Sequence, residues 1–245
     1  MAWVYWHQEG LLFDPEPLAP AYEFAIPDTS EVRIEVAGAT LSALHLKLPR
    51  PRGVVFFLHG NSGNLATWFT NVEFYRKANY DLFMLDYRGF GKSSGHIESD
   101  AQLRADVVAA WNRVAPQYAG KRIVIFGRSL GTALASELAA QVRPDLTVLV
   151  SPYCSMAELM GIHYPLLPAV VLRYPLSTCQ SAGRIHGPLL LVHGEQDRLI
   201  PIDQSERILS FAHQARLLRI AGAAHNDVHQ FGSYNDALLR ALGSL

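Results

Sequence analysis

Cysteine is scarce in this chain of 245 residues, which has only Cys154 and Cys179. The two stand far apart, and neither belongs to a CxxC pair or to a spacing that holds zinc. A small secreted domain held together by several disulfides is therefore excluded. We predict two reduced thiols in a cytosolic protein, with a single disulfide as the open alternative.

Long apolar runs and an excess of one charge are also missing. No run of 18 apolar residues exists, so no transmembrane helix is predicted. Residues 1–10 carry neither the basic nor the apolar segment of a secretory signal, and the cytoplasm is the expected compartment. The net charge is −1, so electrostatics gives no reason to expect nucleic acid or an anionic membrane surface as a partner.

The chain does have strand-type and helix-type segments in alternation. This order predicts an α/β fold, a doubly wound and mostly parallel sheet with helices on both faces. Strands are predicted at 31–36, 41–48, 54–58, 82–85, 122–126, 147–150, 189–192 and 216–220. Helices are predicted at 65–78, 99–114, 130–142, 203–212 and 231–242, with Asn64, Ser99 and Gln102, and Asp203 and Glu206, as capping residues.

The domain layout follows from where this alternation stops. Residues 1–30 contain four prolines and are predicted to form an irregular arm, with Leu11, Leu12 and Phe13 packing down. Residues 31–245 form one domain, with a cap insertion at about 152–186. The longest apolar stretch, 164–172, lies in that insertion. It is either a cap helix packed on the core or an acyl-chain wall or membrane-touching lid.

The stretch Gly127-Arg128-Ser129-Leu130-Gly131 follows a buried strand and precedes a helix. Gly-x-Ser-x-Gly in that context predicts a nucleophile elbow, a strained turn that exposes the serine hydroxyl. Flanking glycines fit because a Cβ there would meet the neighbouring strand and helix. Ser129 is therefore the candidate nucleophile, while Arg128 either faces the pocket or braces the turn.

A serine hydroxyl needs a base, and the base needs a group that orients it. Asp197 follows the strand at 189–192, and His225 follows the strand at 216–220, at the edge where open α/β sheets place their sites. We therefore predict Asp197 and His225 as the partners of Ser129. The alternatives are Glu195 as the acid, and His213 or His229 as the base.

An oxyanion hole needs two backbone N–H groups. Leu130, the residue after the nucleophile, is predicted to supply one and Asn61 the other, with His59 and Gly60 as the supporting loop. Two other patterns fail in detail. Gly91-Lys92-Ser93 lacks the first glycine of a phosphate-binding loop, and His225 with His229 lacks the glutamate of a zinc-binding HExxH helix. No cofactor and no metal are predicted.

Four motifs together resemble the α/β-hydrolase superfamily: His-Gly-Asn-x-Gly-Asn (59–64), Gly-Arg-Ser-Leu-Gly (127–131), His-Gly-x-x-Asp (193–197) and His-Asn-Asp (225–227). They are similar to a group of small serine hydrolases. That group includes bacterial proteins of unassigned substrate and eukaryotic membrane-associated relatives, some of which remove acyl chains from protein cysteines. Residues 8–15 resemble the segment that follows a membrane anchor in many of them.

The resemblance and the motifs lead to one functional hypothesis with two rivals. The hypothesis is a cofactor-independent serine hydrolase that cleaves a small-molecule acyl ester or thioester. The first rival is an aminopeptidase or amide hydrolase with the same three residues, although the insertion offers Glu158 as its only carboxylate to hold a charged amine. The second rival is a binding protein that keeps the fold without turnover.

Overall fold

A computed structural model describes residues 5–245. Its centre is an eight-stranded sheet, and two further two-residue strands, β1 and β5, pair with each other outside it. The ten strands are β1 (Asp14–Pro15), β2 (Thr29–Val36), β3 (Ala39–Leu46), β4 (Gly53–Leu58), β5 (Ser62–Gly63), β6 (Asp81–Leu85), β7 (Arg122–Arg128), β8 (Leu146–Val150), β9 (Leu189–Gly194) and β10 (Ala215–Ile220).

The strand order in the large sheet is β10-β9-β8-β7-β4-β6-β3-β2. The parallel pairs are formed among six strands: β4, β6, β7, β8, β9 and β10. Strand β3 pairs antiparallel with both β2 and β6. All six residues of β4 are buried, as expected for a strand covered on both faces. The parallel strands therefore end at one shared edge, where the predicted site residues lie.

Helices cover both faces of the sheet, and each face has its own apolar core. The fold prediction, a doubly wound and mostly parallel sheet, is confirmed. None of the helices described for residues 5–245 has the length and apolar character needed to cross a bilayer. The helices are α1 (Gln8–Leu12), α2 (Leu65–Trp68), α3 (Val72–Ala78), α4 (Asp100–Val114), α5 (Gly131–Val142), α6 (Met156–His163), α7 (Thr178–Ala182), α8 (Asp203–Leu209) and α9 (Gly232–Gly243).

The N-terminal arm differs from the prediction; its first four residues, 1–4, lie outside the described part. Residues 8–12 form the short helix α1, and Leu11 is 57% exposed instead of packing down, while Phe13 is buried as expected. The arm then runs along the loop after β4: the Asp14 N–H donates to the Asn61 carbonyl at 2.8 Å. The arm therefore holds the predicted oxyanion loop in place.

Two helix predictions need correction. The helix predicted at 65–78 is broken after Trp68, because Phe69 leaves helical geometry and α3 begins only at Val72; Asn64 caps the first piece as predicted. Asp203 and Glu206 do not cap α8, whose N-terminus has no side-chain cap. Ser99 does cap α4 by accepting from the Gln102 N–H.

The expectation of two reduced thiols is wrong, since Cys154 and Cys179 form a disulfide. Cys154 lies in the loop after β8 and Cys179 in α7, and the Cys179 N–H donates to the Cys154 carbonyl at 2.9 Å. This backbone contact brings together residues that are distant in sequence. Disulfides persist in oxidising compartments, so this one gives no support to the predicted cytoplasmic location, which stays a prediction.

The segment between β8 and β9 contains α6, a 3₁₀ turn at Ala169–Val171 and α7. Its apolar stretch does not form a cap helix packed on the core: Leu166 is 94% exposed and Val170 is 86% exposed. The far end of the stretch is tied to α1, because Gln8 Nε2 donates to the Val171 carbonyl and Gln8 Oε1 accepts from the Arg173 N–H. Of the two alternatives for this stretch, the packed cap helix is therefore wrong.

Candidate active site

Ser129 occupies the turn between β7 and α5. Its φ is +51°, a left-handed conformation that is costly for a residue with a side chain. A Cβ at Gly131 would come within 2.2 Å of the Leu58 carbonyl oxygen, and one at Gly127 within 2.6 Å of Ala135 Cβ. Only glycine fits at these two positions, so the turn has the strained, tightly packed form that the sequence predicts.

The loops after β9 and β10 bring two further predicted residues to Ser129. His225 Nε2 lies 3.1 Å from Ser129 Oγ, and His225 Nδ1 lies 2.7 Å from Asp197 Oδ2. Since ionised Asp197 can only accept, Nδ1 carries the proton and Nε2 is free to accept from the serine hydroxyl. The three side chains thus form one continuous hydrogen-bond chain.

Asp197 is 6% exposed, and its carboxylate is held by several donors. Oδ1 accepts from the N–H groups of Leu199 and Ile200, at 3.0 and 2.8 Å. Burial alone would raise the pKa of Asp197, but hydrogen bonds from His193 and His225 and from the Ile200 N–H keep it well below its usual range. The carboxylate therefore stays ionised beside the imidazole.

His193 belongs to the site but is not among the residues predicted for it from the sequence. It is fully buried; its Nε2 lies 2.8 Å from the Ile200 carbonyl and 3.4 Å from Asp197 Oδ2, and Nδ1 accepts from Ser205 Oγ. Nε2–H is shared between these two acceptors, and the carbonyl is the nearer one. His193 thus braces the acid loop. Its position at the end of β9 in the His-Gly motif was the available signal.

The alternatives to the predicted acid and base lie away from the hydrogen-bond chain. Glu195 and His213 are both exposed. His229 is in the 3₁₀ turn Val228–Gln230, where Nδ1 faces Arg128 Nη1 at 3.2 Å. Neither His213 nor His229 contacts Ser129 in the described part of the chain, so His225 is the base that the geometry offers.

The loop after β4 lies beside the serine. A Cβ placed on Gly60 would be 3.6 Å from Ser129 Cβ. The N–H groups of Leu130 and Asn61 donate to no acceptor within residues 5–245. Two unsatisfied N–H groups next to a serine are what an oxyanion hole requires before substrate binds.

His59 lies beneath this loop and is fully buried. Its Nδ1 donates to the Gly60 carbonyl at 2.7 Å, and its Nε2 lies 3.5 Å from Asp86 Oδ1. Tyr87 donates its hydroxyl to the His59 carbonyl at 2.9 Å. The sequence predicts that His59 supports this loop. It does not identify Asp86 as the partner of His59, because the two residues follow different strands.

Arg88 and Arg128 both bond loop segments. Arg88 pairs with buried Asp106, with Nε to Oδ2 at 2.6 Å, and donates to the Ala37 carbonyl. Arg128 donates to the carbonyls of His225 and Asn226, at 3.3 and 3.2 Å, and its guanidinium lies over the Trp68 ring. Arg128 therefore both braces the His225 loop and faces an adjoining cavity.

Residues 49–181 match the Hydrolase_4 family model, which is described as serine aminopeptidase, S33. The match covers more than half of the chain. The chain belongs to this family of α/β-hydrolases. Family membership supports a hydrolase, while the bond that it cleaves is not shown by it.

Among curated relatives, an uncharacterized protein of Mycobacterium tuberculosis is 34% identical over 179 residues, which are 71% of this chain and 63% of that protein. The human alpha/beta hydrolase domain-containing protein 17B is 28% identical over 198 residues, which are 78% of this chain and 66% of its own length. The matches thus span just under two thirds of these relatives.

Solved structures share the fold at lower identity. An esterase of Pyrococcus furiosus has a TM-score of 0.75 at 19% identity and covers 95% of this chain and 97% of its own. The thioesterase domain from the curacin biosynthetic pathway has a TM-score of 0.65 at 16% identity and covers 89% of this chain and 99% of its own. At these identities the likeness concerns the fold alone.

Proposed function

We propose that this α/β-hydrolase cleaves carboxylic esters or thioesters through an acyl-enzyme on Ser129. The observation that carries the proposal is the hydrogen-bond chain from Ser129 Oγ through His225 to Asp197, at 3.1 and 2.7 Å. A chain of this kind lets the imidazole take the hydroxyl proton as the oxygen attacks. No cofactor takes part in any step.

In the first half-reaction Ser129 Oγ attacks the acyl carbon, and His225 Nε2 accepts the proton. Asp197 holds the imidazole in the required tautomer and stabilises the imidazolium. The N–H groups of Leu130 and Asn61 donate to the oxyanion of the tetrahedral intermediate. His225 then gives its proton to the departing alcohol or thiol, which leaves the acyl group on Ser129.

In the second half-reaction a water molecule attacks the acyl-enzyme. His225 takes a proton from this water, a second oxyanion forms in the same hole, and the carbonyl returns as Ser129 Oγ leaves with the proton. The products are a carboxylic acid and the free enzyme. Thioester cleavage is the variant that the motif resemblance supports.

A fluorophosphonate probe tests the nucleophile directly. We expect wild type to gain one phosphonyl group in intact mass, and Ser129→Ala to gain none. Ser136→Ala is the matched control, because Ser136 is buried in α5 with its hydroxyl bonded to the Ala133 carbonyl. If Ser129→Ala is labelled as fast as wild type, the proposed mechanism is wrong.

The family description supports hydrolysis of an aminoacyl amide as a second candidate. Such a substrate presents a charged amine near the scissile bond, and exposed Glu195 lines the open cavity beside Asp197 and His225. Aminoacyl p-nitroanilides and p-nitrophenyl esters of matched size separate the two functions. A higher kcat/KM for the anilides that falls in Glu195→Gln would favour the peptidase.

A further inference from the structure

A cavity of about 360 Å³ lies next to the candidate active site, between α3, α9 and the ends of β4, β6 and β7. Its volume falls in the range of small-molecule sites. The floor is apolar and is formed by Phe57, Leu82, Met84 and Leu238. Nothing in the proposed hydrolysis uses this cavity.

Arg128 brings a positive charge to this cavity. Its hydrogen bonds all go to neutral acceptors, namely His229 Nδ1 and the carbonyls of His225 and Asn226. Within residues 5–245 no carboxylate oxygen lies within 4.0 Å of the guanidinium. Burial lowers the pKa of Arg128, while the surrounding carboxylates and phenols act in the opposite direction. A half-buried cation without a counter-ion in contact is less favourable than a paired one, and a ligand could supply the missing charge.

Two tyrosines add donors beside Arg128. Tyr75 and Tyr234 line the cavity and are each 7% exposed, yet neither hydroxyl has a hydrogen-bond partner in the described part of the chain. Burial raises the pKa of Tyr234 to about 12, so this hydroxyl is a neutral donor at physiological pH. Buried hydroxyls are normally satisfied, and these two face open space next to a cation.

We propose that this cavity binds a medium-chain carboxylic acid. Its carboxylate accepts from Arg128, Tyr75 and Tyr234, and its alkyl tail lies on the apolar floor. A guanidinium carries several N–H donors, so those of Arg128 that are not bonded to His229 and the loop carbonyls can donate to the carboxylate, and the floor excludes water from the tail. Glu16, whose exposed side chain lines the same cavity, opposes the ligand's charge from the rim. Binding does not require the Ser129 chemistry.

Isothermal titration with sodium octanoate tests this site. We expect saturable binding to wild type and equal binding to Ser129→Ala and to fluorophosphonate-blocked enzyme, which places the acid outside the acyl-enzyme site. Arg128→Gln should weaken binding by about a hundredfold, the loss expected on removing the cation of a charged pair. Arg198→Gln, a matched change in the cavity beside Asp197, should leave it unchanged.

Arg128 also braces the His225 loop, so the tyrosines provide variants that keep the fold. Tyr75→Phe and Tyr234→Phe should each weaken octanoate binding by about tenfold or more, because each removes one hydrogen bond to a charged group. Glu16→Gln should tighten it slightly. Melting curves confirm that each variant is folded before titration.

Several outcomes would overturn the assignment. Equal binding of octanol would remove the need for an anion, and inorganic phosphate binding as tightly as octanoate would remove the need for a tail. Loss of binding in Arg198→Gln or in the fluorophosphonate-blocked enzyme would move the acid to the catalytic cavity. Failure of octanoate to bind leaves the Ser129 mechanism intact, because labelling tests that separately.

The acid bound in this cavity can come from two sources. It is either the product released by hydrolysis or a free acid of the same class. The two sources are distinguished by comparing Ser129→Ala soaked with octanoate with wild type supplied only with p-nitrophenyl octanoate. If the cavity is occupied in both experiments, the hydrolysis product is also a ligand. If it is occupied only after soaking with octanoate, the ligand is a free acid. Occupancy in neither arm contradicts the proposal.

Discussion

Two histidine–aspartate pairs lie at the same edge of the sheet but differ in what they can do. His225 and Asp197 lie in loops after β10 and β9, and His59 and Asp86 lie in loops after β4 and β6. The first pair is 2.7 Å apart, with the histidine side chain 12% exposed. The second is 3.5 Å apart, with both side chains fully buried. The same residue types in the same kind of position thus meet different surroundings.

The second ring nitrogen distinguishes the pairs. In His225 it faces the Ser129 hydroxyl, whereas in His59 it is already committed to the Gly60 carbonyl. His59 Nε2 and Asp86 Oδ1 are buried without a hydrogen-bond partner in the described part of the chain, and they face each other at 3.5 Å. A fully buried imidazole whose Nδ1 already donates to a carbonyl does not reach a substrate. It can hold the loop that carries Asn61.

The largest effect expected is on the first pair. Asp197→Asn should lower kcat for p-nitrophenyl esters by about 10⁴-fold, because the imidazole loses the partner that fixes its tautomer. Glu195→Gln is the control, since it alters an exposed carboxylate two positions away. An equal loss in both variants would show that the acid loop, and not the Asp197–His225 bond, is what matters.

A smaller effect is expected on the second pair. Asp86→Ala should lower the free energy of unfolding by about 1–3 kcal/mol, because His59 Nε2 then has no partner in a dry site. Asp86→Asn is the sharper variant, since its amide can donate to Nε2 and should recover most of the loss. Urea unfolding measures both. Equal losses in the two variants would contradict the pairing of His59 with Asp86.

Asp86→Ala should also lower kcat more than it changes KM, by no more than the roughly 10²–10³-fold value of one oxyanion donor. The reason is that His59 supports the loop of Asn61 and not the ground-state substrate. A change in KM alone would assign Asp86 to substrate binding instead.

A smaller effect, specific to Asp197, is expected in the pH dependence of the free energy of unfolding. Its folded pKa lies below the usual value of about 3.9, so the stability it contributes is complete above the unfolded pKa. That stability is lost as pH falls below about 4 toward the folded pKa. The difference in unfolding free energy between wild type and Asp197→Asn should be constant from pH 7 to 5 and shrink by pH 3.

These pairs also show what the sequence could predict. Ser129, Asp197 and His225 each lie in the turn or loop after a parallel strand, and parallel strands end at one edge, so local patterns suffice to bring them together. The partnership of His59 with Asp86 needs the neighbouring order of β4 and β6 in the sheet. The sequence could place each residue in a loop but not one beside the other.

Elements that depend on long-range contacts were predicted less well. The Cys154–Cys179 disulfide forms because the segment between β8 and β9 folds back on itself, which no spacing indicates. For the apolar stretch at 164–172 a cap helix packed on the core was one of two alternatives, yet Leu166 and Val170 are exposed. Hydrophobicity predicts that a residue favours burial, and only the surrounding chain determines whether a surface is there to bury it.

The smallest effect is expected at a third histidine–carboxylate pair. Its atoms are closer together than those of His59 and Asp86, but its contribution should be smaller. His96 Nε2 lies 3.0 Å from Glu98 Oε1, closer than His59 to Asp86, but the two side chains are 80% and 61% exposed. Glu98→Gln should leave both the melting temperature and kcat/KM unchanged, because water solvates each partner when the other is removed. A measurable loss here, comparable to that of Asp86→Ala, would mean that proximity and not burial decides what a histidine–carboxylate pair contributes.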